Sequence, residues 1–126
     1  MRFFLKYPKS ILVLFIIVTV TILYGTLYPA EKLASINILA YDKIAHFGAF
    51  AVWTFLFGLV KAVRSKGTPN LWMIFFLGLF YGLLVEILQF IFPTNRSPEL
   101  YDFIADALGS FAAVIALHFI LKKKSP

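Results

Sequence analysis

The sequence predicts an all-α protein, an integral membrane bundle of four transmembrane helices, and three observations lead to this fold class. The 126 residues are 61% hydrophobic and only 14% charged, whereas a soluble domain carries about 25% charged residues. The apolar residues form four runs of roughly the 20 residues that a helix needs to cross a bilayer. Most basic residues lie at those ends of the runs that would share one side of a membrane. The few charges exclude a disordered chain, a nucleic-acid-binding module and a water-soluble enzyme of ordinary build.

Each apolar run contains few charged residues or none. The first, from Ser10 to Ala30, has none, and the third, from Leu71 to Phe92, has only Glu86. Lipid offers the backbone no hydrogen-bond partners, so a run of this length forms a helix even where phenylalanine and β-branched residues are frequent. We therefore predict a single domain over residues 1–126, with helices at about 10–29, 43–61, 71–92 and 101–121.

The basic residues predict the orientation of these helices. Nine of the twelve flank the same ends of the four runs, and the positive-inside rule assigns those ends to the cytoplasm. They are Arg2, Lys6, Lys9, Lys61, Arg64, Lys66, Lys122, Lys123 and Lys124. Both termini are therefore expected in the cytoplasm, with the loops 31–42 and 93–101 facing outward. Orientation explains the net charge of +6, so we expect no nucleic-acid partner.

The first helix could also be interpreted as a signal peptide, because basic residues precede its apolar run. The run is longer than the apolar region of a usual signal peptide. The small-residue pattern that a peptidase would cleave is also poor around Tyr28 to Ala30. We therefore expect the first helix to be retained in the mature protein.

The unusual polar residues all lie at the predicted outer ends of helices. Glu86 lies six residues before Phe92, about 9 Å below the end of its helix at about 1.5 Å per residue. A charged side chain at the centre of a membrane helix costs about 2.5–3.5 kcal/mol, so such residues face the bundle and usually serve a site. The candidates are Asp42, Lys43 and His46 in the second helix, Glu86 and Gln89 in the third, Arg96 in the following loop, and Asp102 and Asp106 in the fourth.

Small residues predict which helix faces meet. On the third helix, Gly78, Gly82 and Glu86 follow one another at intervals of four. On the fourth, Ala105 and Gly109 are four apart, and so are Ala112 and Ala116, with a step of three from Gly109 to Ala112. Such spacing lets helices approach closely in lipid. Packing along these stripes would turn the side chains at the outer end into the bundle, namely His46, Glu86, Gln89 and Asp106.

The residue types at this end suit two roles. The titratable groups, His46, Glu86, Asp102 and Asp106, could transfer protons and are the candidate catalytic residues. The candidate substrate-binding residues are Asp42, Lys43, Gln89 and Arg96, and the two cations among them could hold a phosphate. Two plainer interpretations stay open, a polar clamp that sets helix register and, for the aspartates, caps at helix starts.

No cofactor is predicted from the spacing of these residues. The chain has no cysteine, which excludes a thiolate-ligated metal. Asp102, Asp106 and His46 leave a divalent metal open, although no ligand spacing specifies one.

Together these motifs resemble the VanZ-like family of small bacterial membrane proteins, named for a teicoplanin-resistance protein. The resemblance covers about residues 40–115 and rests on Asp42-Lys43-Ile44-Ala45-His46-Phe47, Glu86-Ile87-Leu88-Gln89, Arg96, Asp102, Asp106 and Gly109. It implies a multi-pass protein of the bacterial inner membrane, connected to glycopeptide resistance or envelope lipid metabolism. The chain departs from the family pattern at Asp106, where the family often has asparagine.

Three functional hypotheses follow, and the sequence does not decide whether the protein is an enzyme. The first is a site that acts on or binds phosphate-bearing lipid headgroups or lipid-linked envelope intermediates, with membrane lipids as partners. The second is a non-enzymatic protein that binds or shields envelope precursors. The third, ranked last, is a proton-coupled carrier that uses Glu86.

Overall fold

The computed structural model describes residues 8–27, 38–65, 69–91 and 100–122, and it confirms the all-α prediction. The described residues form four helices: α1 (Pro8–Leu27), α2 (Ile38–Ser65), α3 (Leu71–Ile91) and α4 (Leu100–Lys122). The side chains of Asp42 and Lys43 lie outside what the structure describes, as does all of Arg96.

Three helices are long and apolar enough to cross a membrane, judged by their length and composition. They are Ile44–Arg64, Leu71–Ile91 and Leu100–Leu121, and Lys9–Gly25 is a shorter apolar helix. Many of their large apolar side chains point outward; Trp72 is 69% exposed and Phe90 is 77% exposed. A water-soluble monomer rarely exposes apolar patches this extensive. The outer surface of the bundle therefore suits contact with lipid.

The second helix is longer at both ends than the sequence predicts. It begins at Ile38 rather than near residue 43, and it ends at Ser65 rather than near residue 61. Asp42 therefore lies inside the helix and does not cap its start, which corrects that interpretation. Asp102, by contrast, lies in the first turn of α4, where a carboxylate interacts favourably with the helix dipole.

Asn70 explains where α3 begins. Its side-chain Oδ1 accepts hydrogen bonds from the backbone N–H groups of Trp72 at 3.0 Å and Met73 at 3.4 Å. These N–H groups have no partner inside the helix, and asparagine is among the residues that best satisfy them. The helix is thereby fixed to start at Leu71, as the apolar pattern predicts.

The helix α2 is the centre of the bundle, because it packs against each of the other three helices and most extensively against α4. Two glycines bring these helices together. A Cβ on Gly109 would overlap the backbone carbonyl of Phe47, and a Cβ on Gly58 would overlap the side chain of Leu117. In lipid, where apolar burial adds little, such close backbone approach is a main source of helix association.

The helix α1 is joined to the bundle by hydrogen bonds at Thr19. The indole N–H of Trp53 donates to Thr19 Oγ1 at 2.8 Å, and the Tyr81 hydroxyl donates to the Thr19 carbonyl at 3.0 Å. The rings of Trp53 and Tyr81 pack with centroids 4.6 Å apart. These contacts place α1 against both α2 and α3.

Candidate functional site

A short polar contact joins α2 to α4. His46 Nδ1 lies 2.7 Å from Asp106 Oδ1, a hydrogen-bond distance. The exposed fraction is 8% for His46 and 0% for Asp106. A contact of this length between buried groups of opposite charge, or between a neutral imidazole and a carboxylate, is strong because little water competes for it.

Two further carboxylates surround the imidazole. Asp102 Oδ2 lies 3.9 Å from His46 Nε2, on the other side of the ring. Glu86, on α3, has a carboxylate oxygen that falls with ligand atoms of His46 and Asp106 in a group whose members are all within 4.8 Å of one another. Three helices thus contribute to one buried cluster, which we call the polar site: His46, Glu86, Asp102 and Asp106.

Glycines position the helices that carry the polar site. The backbone at Gly109 lies against α2 one turn beyond His46, where a Cβ would also come within 3.0 Å of Ala51 N. On α3, a Cβ on Gly82 would be 3.2 Å from both Cβ and Oδ2 of Asp106. Because neither position carries a side chain, α2 and α3 both approach α4 closely enough for their polar groups to meet. This is the packing that the small-residue spacing predicts.

An aromatic ring borders the polar site on one side, and a hydrogen-bonded pair of hydroxyl groups lies next to it in the core. Phe50, 1% exposed, stacks nearly parallel to His46 with ring centroids 6.4 Å apart. One turn deeper, the Thr54 hydroxyl donates to Ser110 Oγ at 2.9 Å, and both residues are fully buried beside Gly78. The sequence analysis did not single out this pair. Ser110 follows Asp106 by four residues and Thr54 follows His46 by eight, so helical spacing could have indicated both.

Of the four remaining candidates, the structure describes the side chain of Gln89 only. Gln89 is 2% exposed, on the buried face of α3 that also carries Glu86. Asp42 and Lys43 belong to α2, one turn before His46, and their side chains lie outside the described residues, as does Arg96. The burial predicted for His46, Glu86, Gln89 and Asp106 is confirmed.

The second predicted stripe of small residues, on α4, packs closely against other helices only in its N-terminal half. Ala105 is buried and Gly109 contacts α2. Ala112 and Ala116 instead line an apolar groove of about 350 Å³ that also borders α1. Lower down, α4 presents Ala113 and Leu117 to the core.

The polar site lies close to one end of the membrane helices. Glu86 is five residues before the end of α3 at Ile91, and Asp106 is six residues after the start of α4 at Leu100. At about 1.5 Å per residue, these positions are roughly 8–9 Å from the helix ends. The group can therefore offer proton transfer, through the imidazole, and oxygen and nitrogen ligands, near one end of the bundle.

These features define a class of protein, a small helical membrane protein with multi-pass apolar helices and a buried histidine–carboxylate site. Residues 8–121 match the family model described as VanZ/LLP1. The match includes all but seven residues at the start of the chain and five at its end. The chain belongs to the VanZ/LLP1 family, which confirms the resemblance seen in the motifs. Neither the curated proteins nor the solved structures include a match.

Proposed function

We propose that the polar site faces outward and binds and acts on phosphate-bearing lipid headgroups, such as those of lipid-linked envelope intermediates in the bacterial inner membrane. The observation that carries the proposal is the buried 2.7 Å contact between His46 Nδ1 and Asp106 Oδ1. A histidine held by a carboxylate is a common proton-transfer group, because the carboxylate orients the ring and stabilises its protonated form.

The depth of the site supports a lipid substrate. Glu86 and Asp106 lie roughly 8–9 Å inside the ends of α3 and α4, and the hydrocarbon core of a bilayer is about 30 Å thick. The site is therefore on one side of the middle of the bilayer and faces the headgroups of one leaflet. The same depth is too shallow for a site that must exchange with both sides of the membrane.

In this proposal each part of the site has a distinct role. His46 is the general acid or base, and Asp106 and Asp102 orient it from the two sides of its ring. Glu86 is a second proton-transfer group. Lys43 and Arg96 hold the phosphate, an assignment that rests on their positions in the sequence and on the preference of these side chains for phosphate.

The apolar interior below the site gives no support to a carrier. Beneath the Thr54–Ser110 pair, the described residues at the far end of the bundle form one apolar cluster. Its members are Ile11, Leu56, Leu59, Ala62, Ile74, Leu117 and Leu121. A proton-coupled pathway requires polar groups at successive depths, and the described core of this part of the bundle is apolar.

The proposal is tested by replacing His46 and Glu86 singly with glutamine in cells that lack the native copy. Lipid-linked envelope intermediates are then quantified after protein levels are matched. Both variants are expected to change the amounts of these intermediates. Thr21→Val is the control, because Thr21 is exposed and its hydroxyl bonds within its own helix. Intermediates that are unchanged in both site variants would contradict the proposal.

The same cells separate catalysis from simple binding. A protein that only binds or shields precursors needs its cations more than its proton-transfer group. Glycopeptide susceptibility that shifts with Arg96→Gln and not with His46→Gln would replace the enzymatic proposal with the binding one.

A further inference from the structure

We propose that the polar site is a metal centre in which His46, Glu86 and Asp106 bind a divalent first-row transition metal, Zn²⁺ or Mn²⁺. One ligand atom from each residue lies within 4.8 Å of the other two, and all three residues are buried. The ligands come from α2, α3 and α4, so the helix packing itself brings them together. The sequence leaves a metal at His46, Asp102 and Asp106 open, and the structure puts Glu86 in place of Asp102 in the ligand group.

Small movements of the three side chains would bring their ligand atoms to the distances found around a bound metal. Around Zn²⁺, bonds of about 2.0–2.1 Å place tetrahedral ligand atoms about 3.3 Å from one another. The widest pair in the group must therefore close by up to about 1.5 Å, and the 2.7 Å pair of His46 Nδ1 and Asp106 Oδ1 must open slightly. Rotations about side-chain bonds provide movements of this size without a change in the helices.

A second feature of the site, outside the ligand set, is typical of histidine bound to metal. A metal-binding imidazole usually donates its other ring N–H to a carboxylate or carbonyl, which fixes its orientation and raises its basicity. Asp102 Oδ2 lies 3.9 Å from His46 Nε2, the nitrogen that remains when Nδ1 faces Asp106. Asp102 is thus a positioning residue for the metal ligand.

The ligand types select the metal. Imidazole favours transition metals such as zinc, whereas magnesium and calcium prefer oxygen ligands alone. The chain has no cysteine, which argues against metals that require thiolate. Three protein ligands leave at least one coordination position for water or substrate, the arrangement of catalytic rather than structural zinc sites.

A metal would also explain how a site with three carboxylates accepts a phosphate. A divalent cation can bind carboxylates on one side and substrate phosphate oxygens on the other, and it then orients the group that reacts. This bridging role rests on the proposed function. Metal binding itself does not, since it follows from the geometry of the three side chains. With a metal bound, His46 and Glu86 would serve as its ligands in place of the proton-transfer roles proposed above, and the metal would supply an activated water.

The test uses full-length protein purified in detergent with an affinity tag that contains no histidine. After chelation, the protein is equilibrated with Zn²⁺, Mn²⁺ or Mg²⁺, and bound metal is measured by mass spectrometry. The wild type is expected to retain one Zn²⁺ or Mn²⁺ per chain in the presence of excess Mg²⁺. Glu86→Gln and His46→Gln should each weaken binding at least tenfold, and Asp102→Asn should weaken it about 10–100-fold.

The matched control is His118→Gln, because His118 is the other histidine of the chain and lies exposed near the far end of α4. It should bind metal as the wild type does. Visible absorption of the Co²⁺-loaded wild type gives a measurement that needs no variant to fold, and bands typical of mixed nitrogen and oxygen ligands are expected. Retention of no metal, absent Co²⁺ bands, or site variants that bind as tightly as His118→Gln would overturn the metal centre.

The outcome also separates this proposal from the proposed function. If the wild type binds no metal while His46→Gln still changes the lipid-linked intermediates, the metal centre fails and the lipid function stands. If metal binds with the predicted ligands while neither site variant changes the intermediates, the metal centre stands and the lipid function fails.

Discussion

At the residue scale, Asp106 is the most constrained side chain of the site. It is fully buried, bonded to His46 and held against Gly82. Asparagine has the same shape and can hydrogen-bond with either tautomer of the imidazole. Charge, rather than size, is therefore what a change from aspartate to asparagine at this position would alter.

The first prediction follows from that contact. Asp106→Asn should preserve the fold with a change of less than about 1 kcal/mol, because its amide replaces the hydrogen bond to His46. Asp106→Ala should cost about 1–3 kcal/mol, since it removes the partner of a buried polar group. Unfolding in mixed detergent, followed by circular dichroism, measures both. Equal stability of the two variants would show that the His46–Asp106 bond does not stabilise the bundle.

At the residue scale, the sequence predicts which helix face a side chain lies on but not which side chain of the neighbouring helix it contacts. Asp102 and Asp106 are four apart and share one helix face, so either could be the nearer partner of His46. Only the register between α2 and α4 decides between them, and that register depends on the contact between Gly109 and the backbone of α2. The spacing of residues within one helix carries no information about the register of its neighbour.

At the element scale, the contact of α2 with α4 is the one that the site depends on. Gly109 meets backbone atoms of Phe47 and Ala51, which have no rotamers through which to yield. Gly48 lies on α2 close to that contact, with no atom within 4 Å of the place where a Cβ would be. The two glycines therefore differ in their surroundings although both lie near the middle of a membrane helix.

This difference gives the second prediction. Gly109→Ala should separate α2 from α4 and destabilise the bundle by about 1–3 kcal/mol, the usual cost of overpacking. Gly48→Ala, the matched control, should be neutral or stabilising by up to about 1 kcal/mol, because alanine is the better helix former. The same detergent unfolding measures both. A Gly109→Ala protein as stable as Gly48→Ala would contradict the close packing of these helices.

The sequence predicts the existence of each element better than its ends. The apolar run that begins at Leu71 locates the start of α3 closely, because such a pattern is local. The start of α2 at Ile38 was not predicted, because its first turns mix polar and apolar residues and contain no proline or glycine to mark a boundary. The contacts at Thr19 were also not predicted, since they depend on how α1 lies against two other helices.

At the scale of the whole molecule, the distribution of charge predicts the orientation in the membrane. The described basic residues at the ends of α1 and α2, such as Lys9 and Arg64, lie near the end of the bundle opposite the polar site. The positive-inside rule assigns that end to the cytoplasm. The polar site should then open towards the outer leaflet, where the proposed lipid headgroups are.

The third prediction tests that orientation, and the absence of native cysteine makes it simple. Ser97→Cys should react with a membrane-impermeant maleimide added to intact spheroplasts, because the loop 93–101 is expected outside. Ser125→Cys should react only after the membrane is permeabilised, since the C-terminus is expected in the cytoplasm. The reverse pattern of labelling would place the polar site on the cytoplasmic side and remove the outer leaflet as its source of substrate.

The central claim is that the polar site holds a phosphate-bearing lipid, and native mass spectrometry of the purified protein tests it most directly. Wild-type protein and the control Thr21→Val should each retain a phosphate-bearing lipid when extracted gently from the membrane. Lys43→Gln and Arg96→Gln, which remove the proposed phosphate-binding cations, should retain at least tenfold less of that lipid while unfolding like the wild type. Equal retention by all four proteins would contradict the account.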